Sequence, residues 1–322
     1  MVAKVLLAAL TMVACCAPAM AQVAAYPSRP IRIIVPQSPG GSTDLTARLV
    51  AQRLSEVFKQ TAVVDNRPGA GSTSGTEIVV RAAPDGHTLL VVASSLTINP
   101  ALYTRLSYDA IRDFAPITQL SRFPNLLAAH PALPVKTLQD VIALAKAKPG
   151  QLNYASAGTG TGTHMSGELL KQMTGIDMVQ IPFKGGAPAV IAAMGGQTQL
   201  IIGTSVGTLP HVRSGKLRGI AVTSAQRAPS APEIPTFAES GVPGYDHEPW
   251  NGLLAPAGTP RPIIARLNAE VVRLLATPEV RKIFAHEGAE AAGNSPEAFA
   301  AIVKSETLKW AQVVKAAGIK IE

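Results

Sequence analysis

Four times in this chain a short apolar run is followed by a loop of Gly, Ser and Thr and then by a helix-like segment. The first run, Ile31 to Val35 (IRIIV), is continuous and rich in β-branched residues, as expected of a parallel strand buried on both faces. "PQSPGGSTD" then leads into the amphipathic LTARLVAQRLSEVF. In the same way TLLVVA (Thr88 to Ala93) precedes SSLTINP, LNYAS precedes AGTGTGTH, and MVQIPF precedes KGGAP and VIAAMGG. Strand and helix in this alternation predict an α/β fold with parallel strands, and ligands seated beyond the carboxyl ends of those strands.

The third loop invites a nucleotide reading that its spacing rejects. Gly158, Gly160 and Gly162 form G-x-G-x-G, so the third glycine of a dinucleotide fingerprint would fall on Thr163, and no phosphate-loop lysine follows. What remains is a cradle of N–H and hydroxyl groups. Asp44 and Lys184 are the ionisable residues directly within the four loops, with His164 entering the next helix, so the implied chemistry is hydrogen bonding to an anion such as a carboxylate. Gly and Ser also serve plain turns; that reading stays open for any one loop, and four together favour a site.

Residues 1–21, MVAKVLLAALTMVACCAPAMA, have one lysine, an apolar run and a small-residue end, the pattern of a signal peptide cleaved before Gln22. A lipid-anchored form at Cys15 is the alternative. Cys15 and Cys16 are the two cysteines, so the exported chain is expected to lack disulfides, a thiol nucleophile and a cysteine metal site, and no cofactor is expected. The remaining ~300 residues suit two domains. Losing Lys4 takes the net charge from +8 to +7, which suits an anionic small ligand. Nucleic acid is excluded as a partner because the basic residues are scattered and aromatics are few. Near the C-terminus, Arg261 to Ala276 reads as a helix, and Thr277-Pro278-Glu279 and Ser295-Pro296-Glu297 read as capped helix starts. Ser224 to Tyr245 is a Pro-rich loop and Trp250 to Pro256 a strand; Trp250 is a candidate cleft wall or, equally, a buried hinge aromatic.

Eight ordered segments, YPSRPIRIIVPQSPGGSTD, VVDNRPGAGST, AAPDGHTLL, NPALY, SAGTGTGTH, IPFKGGAPAV, GKLRGIAVTS and GLLAPAGTP, resemble the Bug receptors, the extracytoplasmic solute receptors of tripartite tricarboxylate transporters. The resemblance implies a type II periplasmic binding protein fold, with two α/β lobes closing on a carboxylated ligand. It implies a first lobe of residues 26–122 plus 247–322, a second of 123–246, and large and small membrane subunits as partners of a monomeric periplasmic protein. Carried over by position, the pocket comprises Gly40, Gly41, Ser42, Thr43 and Asp44 in the first loop. The second loop gives Ser94, Ser95, Thr97 and Asn99, and the third Ser156, Gly158, Thr159, Gly160, Thr161 and His164. The fourth gives Phe183, Lys184, Gly185, Gly186 and Pro188, and Thr204 follows a later strand. Two positions depart from the family's habit. Gln37 stands where a bulky apolar residue is usual, and Gly203 where an acid is common, which favours plain carboxylates over amino acids.

The rival enzyme reading is a secreted serine hydrolase. "GTSVG" (Gly203 to Gly207) matches the nucleophile-elbow pattern around Ser205, with Asp246 and His286 following in order. Against it, no HGG-type oxyanion stretch precedes, and Thr208-Leu209-Pro210 is expected to interrupt any long helix after Ser205. His164 with Glu168 at i+4 is too small a set for a metal, and His164 reads as a capping or pocket donor. A ligand-free sensor partner is the third class.

Overall fold

The computed structural model describes residues 26–317; the expected export segment, with Cys15 and Cys16, lies outside them. The chain forms two separate sheets. β1 (Ile31–Val35), β2 (Ala62–Asn66), β3 (Thr88–Ala93), β4 (Phe114–Arg122), β10 (Trp250–Pro256) and β11 (Glu290–Ala291) make the first, in the order β2-β1-β3-β10-β4-β11. β5 (Asn125–Ala129), β6 (Asn153–Ser156), β7 (Val179–Pro182), β8 (Leu200–Thr204) and β9 (Arg218–Val222) make the second, in the order β7-β6-β8-β5-β9. β1 is parallel to β2 and β3, and β6 to β7 and β8, as the alternation of strand and helix predicts. The sheets are nonetheless mixed. β10 is antiparallel to β3 and β4, and β5 to β8 and β9, because these are the strands that begin after a crossing between sheets and need no covering helix.

Alternate residues of the first sheet serve two cores. Ile33, Leu89, Val91 and Leu253 face α1 (Ser42–Phe58), α8 (Arg261–Ala276) and α9 (Pro278–Glu287). Ile34, Leu90, Val92 and Leu254 face α2 (Thr73–Val80) and α10 (Pro296–Ala317). In the second sheet Leu127, Tyr154, Leu200 and Ile202 meet α4 (Leu138–Ala147) and α5 (Gly162–Thr174), whereas Ala128, Ala155 and Ile201 meet α6 (Gly186–Met194). Strands apolar on both faces are what a helix–sheet–helix sandwich requires. α3 (Ser95–Leu102) and α7 (Ser205–Arg213) are the remaining α-helices among the described residues, and a short 3-10 turn spans Ala70–Ser72. The helix starts at Pro278 and Pro296 fall where their Thr and Ser caps predict, Thr277 Oγ1 accepting from Val280 N at 3.4 Å and Ser295 Oγ from Ala298 N at 3.2 Å. Pro210 lies inside α7, which ends at Arg213 after nine residues, so no long helix follows Ser205. A proline on the second turn loses one backbone donor there without ending so short a helix.

The chain passes from β4 to β5 through Phe123 and Pro124, and returns through residues 223–249 to β10. The two passages touch, Phe123 N donating to Pro249 O at 3.0 Å. In both sheets the neighbouring strands whose connections leave in opposite directions, β1 with β3 and β6 with β8, end towards the same space between the sheets.

β10 is crossed by α10 at close range. A Cβ added to Gly252 would stand 2.1 Å from Phe299 Cζ, and Phe299 also packs edge-on against Trp250 at 5.2 Å. Gly252→Ala is expected to lower stability by about 1–3 kcal/mol through overpacking, and Phe299→Ala by about 3–5 kcal/mol through the cavity it leaves. Urea unfolding of the two variants measures both.

Candidate functional site

Between the sheets lies an inner cavity of about 20 Å³, room for roughly one water. Among the described residues no ionisable side chain lines it. Its wall is instead made where five helices begin. α1 contributes Ser42 and Thr43, α3 contributes Ser94 just before it, α5 contributes Thr161 to Thr163, α6 contributes Gly186, and α7 contributes Thr204 as its capping residue. The first N–H groups of a helix have no intrahelical acceptor and carry about half a positive charge between them. Four of these ends carry no acid in their first turn and favour an anion here without a cation, whereas the first turn of α1 holds Asp44.

Much of the chemistry expected to face a ligand holds the loops in shape. The buried Asp44 carboxylate accepts from Gly40 N (2.9 Å), Arg48 Nε (2.9 Å) and Asn66 Nδ2 (3.0 Å). Burial would raise its pKa, but these hydrogen bonds outweigh that and hold it below the usual carboxylate range. Asp44 thus braces the first loop and does not line the cavity. In the third loop Thr161 Oγ1 donates to Gly158 O at 2.6 Å, and Thr163 Oγ1 accepts from Ala157 N at 2.9 Å. His164 Nδ1 accepts from Gly160 N at 3.2 Å, so this ring is an acceptor that closes the turn, and burial lowers its pKa and keeps it neutral. Ser156 Oγ accepts from Gly158 N and Gln180 Nε2 in the same brace.

Other buried polar atoms have no partner among the described residues: the hydroxyls of Ser72, Ser94 and Ser95, and the side-chain oxygens of Asn99 and Asn125. Ser94 and Asn125 line the inner cavity. Gln37 lines it too and is tied to the framework, its Oε1 lying 3.0 Å from Thr43 Oγ1, which is also 3.0 Å from Asn251 Oδ1. Thr97 Oγ1 donates to Ser94 O and belongs to the first turn of α3.

Gln37 and Ala157 also border an outer cavity of about 370 Å³. The expected residues Gly158, Thr159, Phe183 and Lys184 form one side of it. Its other side is a loop the sequence reading did not place in the site, Gly69 to Ser72 with Tyr103. The signal was present: "NRPGAGS" follows β2 as the Gly-rich loops follow β1 and β6, and Ala70 and Ser72 carry positive φ at 44° and 83°.

The two sides of the cleft are in contact. Ser38 N donates to Lys184 O at 3.1 Å, and Ser38 Oγ donates to the same carbonyl. A Cβ on Gly71 (φ +60°) would stand 2.2 Å from Thr159 O, and one on Gly160 (φ +79°) 2.5 Å from Asn99 Oδ1. Gly185 lies against Ser38, and Gly40 and Gly41 approach Ala187 and Gly186. These glycines therefore let the two halves approach each other, a role beyond close approach to a ligand. Pro188 lies within the first turn of α6 and lines neither cavity.

Ser205 is buried at 2% exposure, and its Oγ donates to Gly288 O at 2.7 Å. The proton is committed to a carbonyl, and the residue has none of the positive φ of a strained elbow. Val206 beside it enters the core of the first sheet with Phe284. Trp250 is buried against Phe299 rather than walling the cleft.

The model of the tripartite tricarboxylate transporter receptor family matches residues 46–319. The chain is similar to BugT of Bordetella pertussis, 37% identical over 299 residues covering 92% of each. It is also 36% identical over 291 residues to a Pseudomonas sp. protein from the tcbD-tcbE intergenic region, covering 90% of this chain and 87% of that one. Among solved structures it superposes on the periplasmic binding protein BugD with a TM-score of 0.88 at 35% identity, covering 92% of this chain and all of BugD. MatC of Rhodopseudomonas palustris, with bound malate, gives 0.86 at 35% identity over 90% of this chain and all of MatC. A further R. palustris protein, with adipate, gives 0.88 at 36% identity over 92% of this chain and all of that one. With two lobes, a cleft between them whose inner cavity is lined by no charged side chain among the described residues, and this breadth of likeness, the chain belongs to the tripartite tricarboxylate transporter receptor family and is a Bug-type receptor.

Proposed function

We propose that this protein is a periplasmic binding receptor, not an enzyme, that encloses a small carboxylate between its lobes and delivers it to the membrane subunits of a tripartite transporter. The observation that carries this reading is the inner cavity, uncharged yet ringed by five helix starts. A carboxylate is the ligand such a ring favours, since each charge-assisted hydrogen bond from an N–H is worth about 1.5–3 kcal/mol. The malate and adipate held by relatives are of this class. Lobes of 26–122 plus 247–322 and of 123–246 close over it as a monomer, with 1–21 acting as the export signal.

The inner cavity is too small for a whole diacid, so the ligand enters when the lobes part and extends past Gln37 towards the outer cavity. Calorimetry with malate and adipate is expected to show binding by at least one of them, and the corresponding dimethyl ester is expected to bind at least tenfold more weakly. Equal binding of acid and ester would remove the electrostatic argument.

Ser94→Ala separates ligand binding from folding. Its hydroxyl is buried without a partner, so the variant is expected to be as stable as the parent or slightly more so, while carboxylate affinity falls by about one to two decades. Gly71→Ala tests closure. Its Cβ would strike Thr159 O across the cleft, and the variant is expected to keep its circular dichroism and lose at least tenfold in affinity. Small-angle scattering is expected to show that it stays expanded when ligand saturates the parent.

A further inference from the structure

His247 lies on the return passage between the sheets, at 3% exposure, and its two ring neighbours belong to different lobes. On one side its Nδ1 is 2.8 Å from Ser166 Oγ on α5. On the other its ring meets Trp310 of α10 edge-on at 4.8 Å. Ser166 Oγ donates its one proton to Gly162 O at 3.0 Å and accepts from Asn125 Nδ2 at 2.9 Å. The proton between His247 and Ser166 therefore sits on Nδ1, leaving Nε2 as a bare, buried atom without a partner among the described residues. Gly162 and Asn125 both line the inner cavity. A single hydrogen-bonded path thus runs from the passage to the wall of the site.

We propose that His247 is a positioning residue that couples lobe closure to a proton: neutral, it holds the first turn of α5 in the closed molecule, and protonated, it favours the open one. This rests on the reading of the cleft as a closing carboxylate site. The geometry behind it is that Met165, next to Ser166, packs among Ile98, Leu102, Trp310 and Val314 of the other lobe. When the lobes separate, His247 cannot keep both Ser166 and Trp310, and its ring meets water.

In the closed form burial pushes the ring down to about 3, and Lys309 adds to the effect. The charged groups on the surrounding elements are otherwise engaged. Glu168 on α5 meets Tyr154 and Lys171, and His164 beside it is neutral; Glu306 on α10 accepts from Trp310 Nε1 at 3.0 Å. Asp246 accepts from Ala225 N, and Glu248 next to His247 in the chain is itself shifted towards its neutral form by burial. A hydrated histidine titrates near 6.5. Closure is thus fully favoured above about 6.5 and loses ground as pH falls below it towards 3, by about thirtyfold at pH 5.

The test is calorimetry with malate and adipate at pH 7.5 and 5.0 on the parent, His247→Asn and His247→Leu. Expressing each affinity as the parent-to-Asn ratio cancels the ligand's own titration. Asn keeps a donor for Ser166 and cannot titrate, so it is expected to match the parent at pH 7.5 and to bind about thirtyfold more tightly than the parent at pH 5.0. Leu is expected to bind weakly at both. A ratio that does not change with pH overturns the proposal while leaving carboxylate binding intact. No heat with either acid at pH 7.5 counts against the carboxylate reading instead, and nitrogen-15 NMR of the ligand-free parent then decides. A His247 ring that titrates above pH 4 supports the coupling, and one still neutral at pH 4 in a folded protein overturns it.

Discussion

Backbone N–H groups at helix starts cannot be satisfied by their own helices, and here five helices spend that deficit on one space. Everything else in the cleft follows from keeping those ends aligned. The strands that launch the helices must finish at one level, and the parallel neighbours β1 and β3, and β6 and β8, are interior strands of their sheets. The loops must hold their shape without help from a ligand, so Asp44, Thr161, Thr163 and His164 are turned inward as braces. A charged side chain in the wall would be simpler to build, but it would titrate and add a large desolvation penalty on closing.

The strand, loop and helix units were legible because burial on both faces of a parallel strand leaves a continuous apolar run, as in IRIIV and TLLVVA. The repeated strand, loop and helix pattern together with the family resemblance puts the first, third and fourth loops in the cleft, and residues of each line one of its cavities. What the loops do inside it was not legible. The sequence offers His164 a capping or a pocket role and the resemblance puts Asp44 in the pocket; their partners, Gly160 N, Asn66 and Arg48, follow from turn geometry that composition does not encode. Gly69 to Ser72 was missed because the half-buried β2 before it looks unlike a core strand. Asn125 and His247 depend on contacts 41 and 81 residues away along the chain, with Ser166 as the shared partner.

The lobes touch along more than the cleft. Val206 of α7 is part of the apolar core beneath the first sheet, and Arg213 Nη1 donates to His286 O at 2.8 Å nearby. Met165 enters the cluster around Trp310 on α10. Each lobe therefore borrows apolar cover from the other, and lobe separation must expose some of it at about 25 cal/mol per Å². That exposure opposes opening, whereas the confined glycine contacts at Gly71 and Gly160 keep closure free of steric cost.

The position of β10 bears on how the molecule is made. It lies between β3 and β4, pairing with both, yet it follows β4 only after the whole second sheet has been written. During synthesis from the N-terminus β3 and β4 wait with unpaired edges while β5 to β9 are free to form their own sheet. The second lobe, continuous in sequence, is the nucleus available first, and the first lobe is sealed last by a strand inserted at its centre. Such a high-separation final pairing slows completion of the first lobe, so its two sequence halves stay unjoined until β10 has been made, while the second lobe can already be compact.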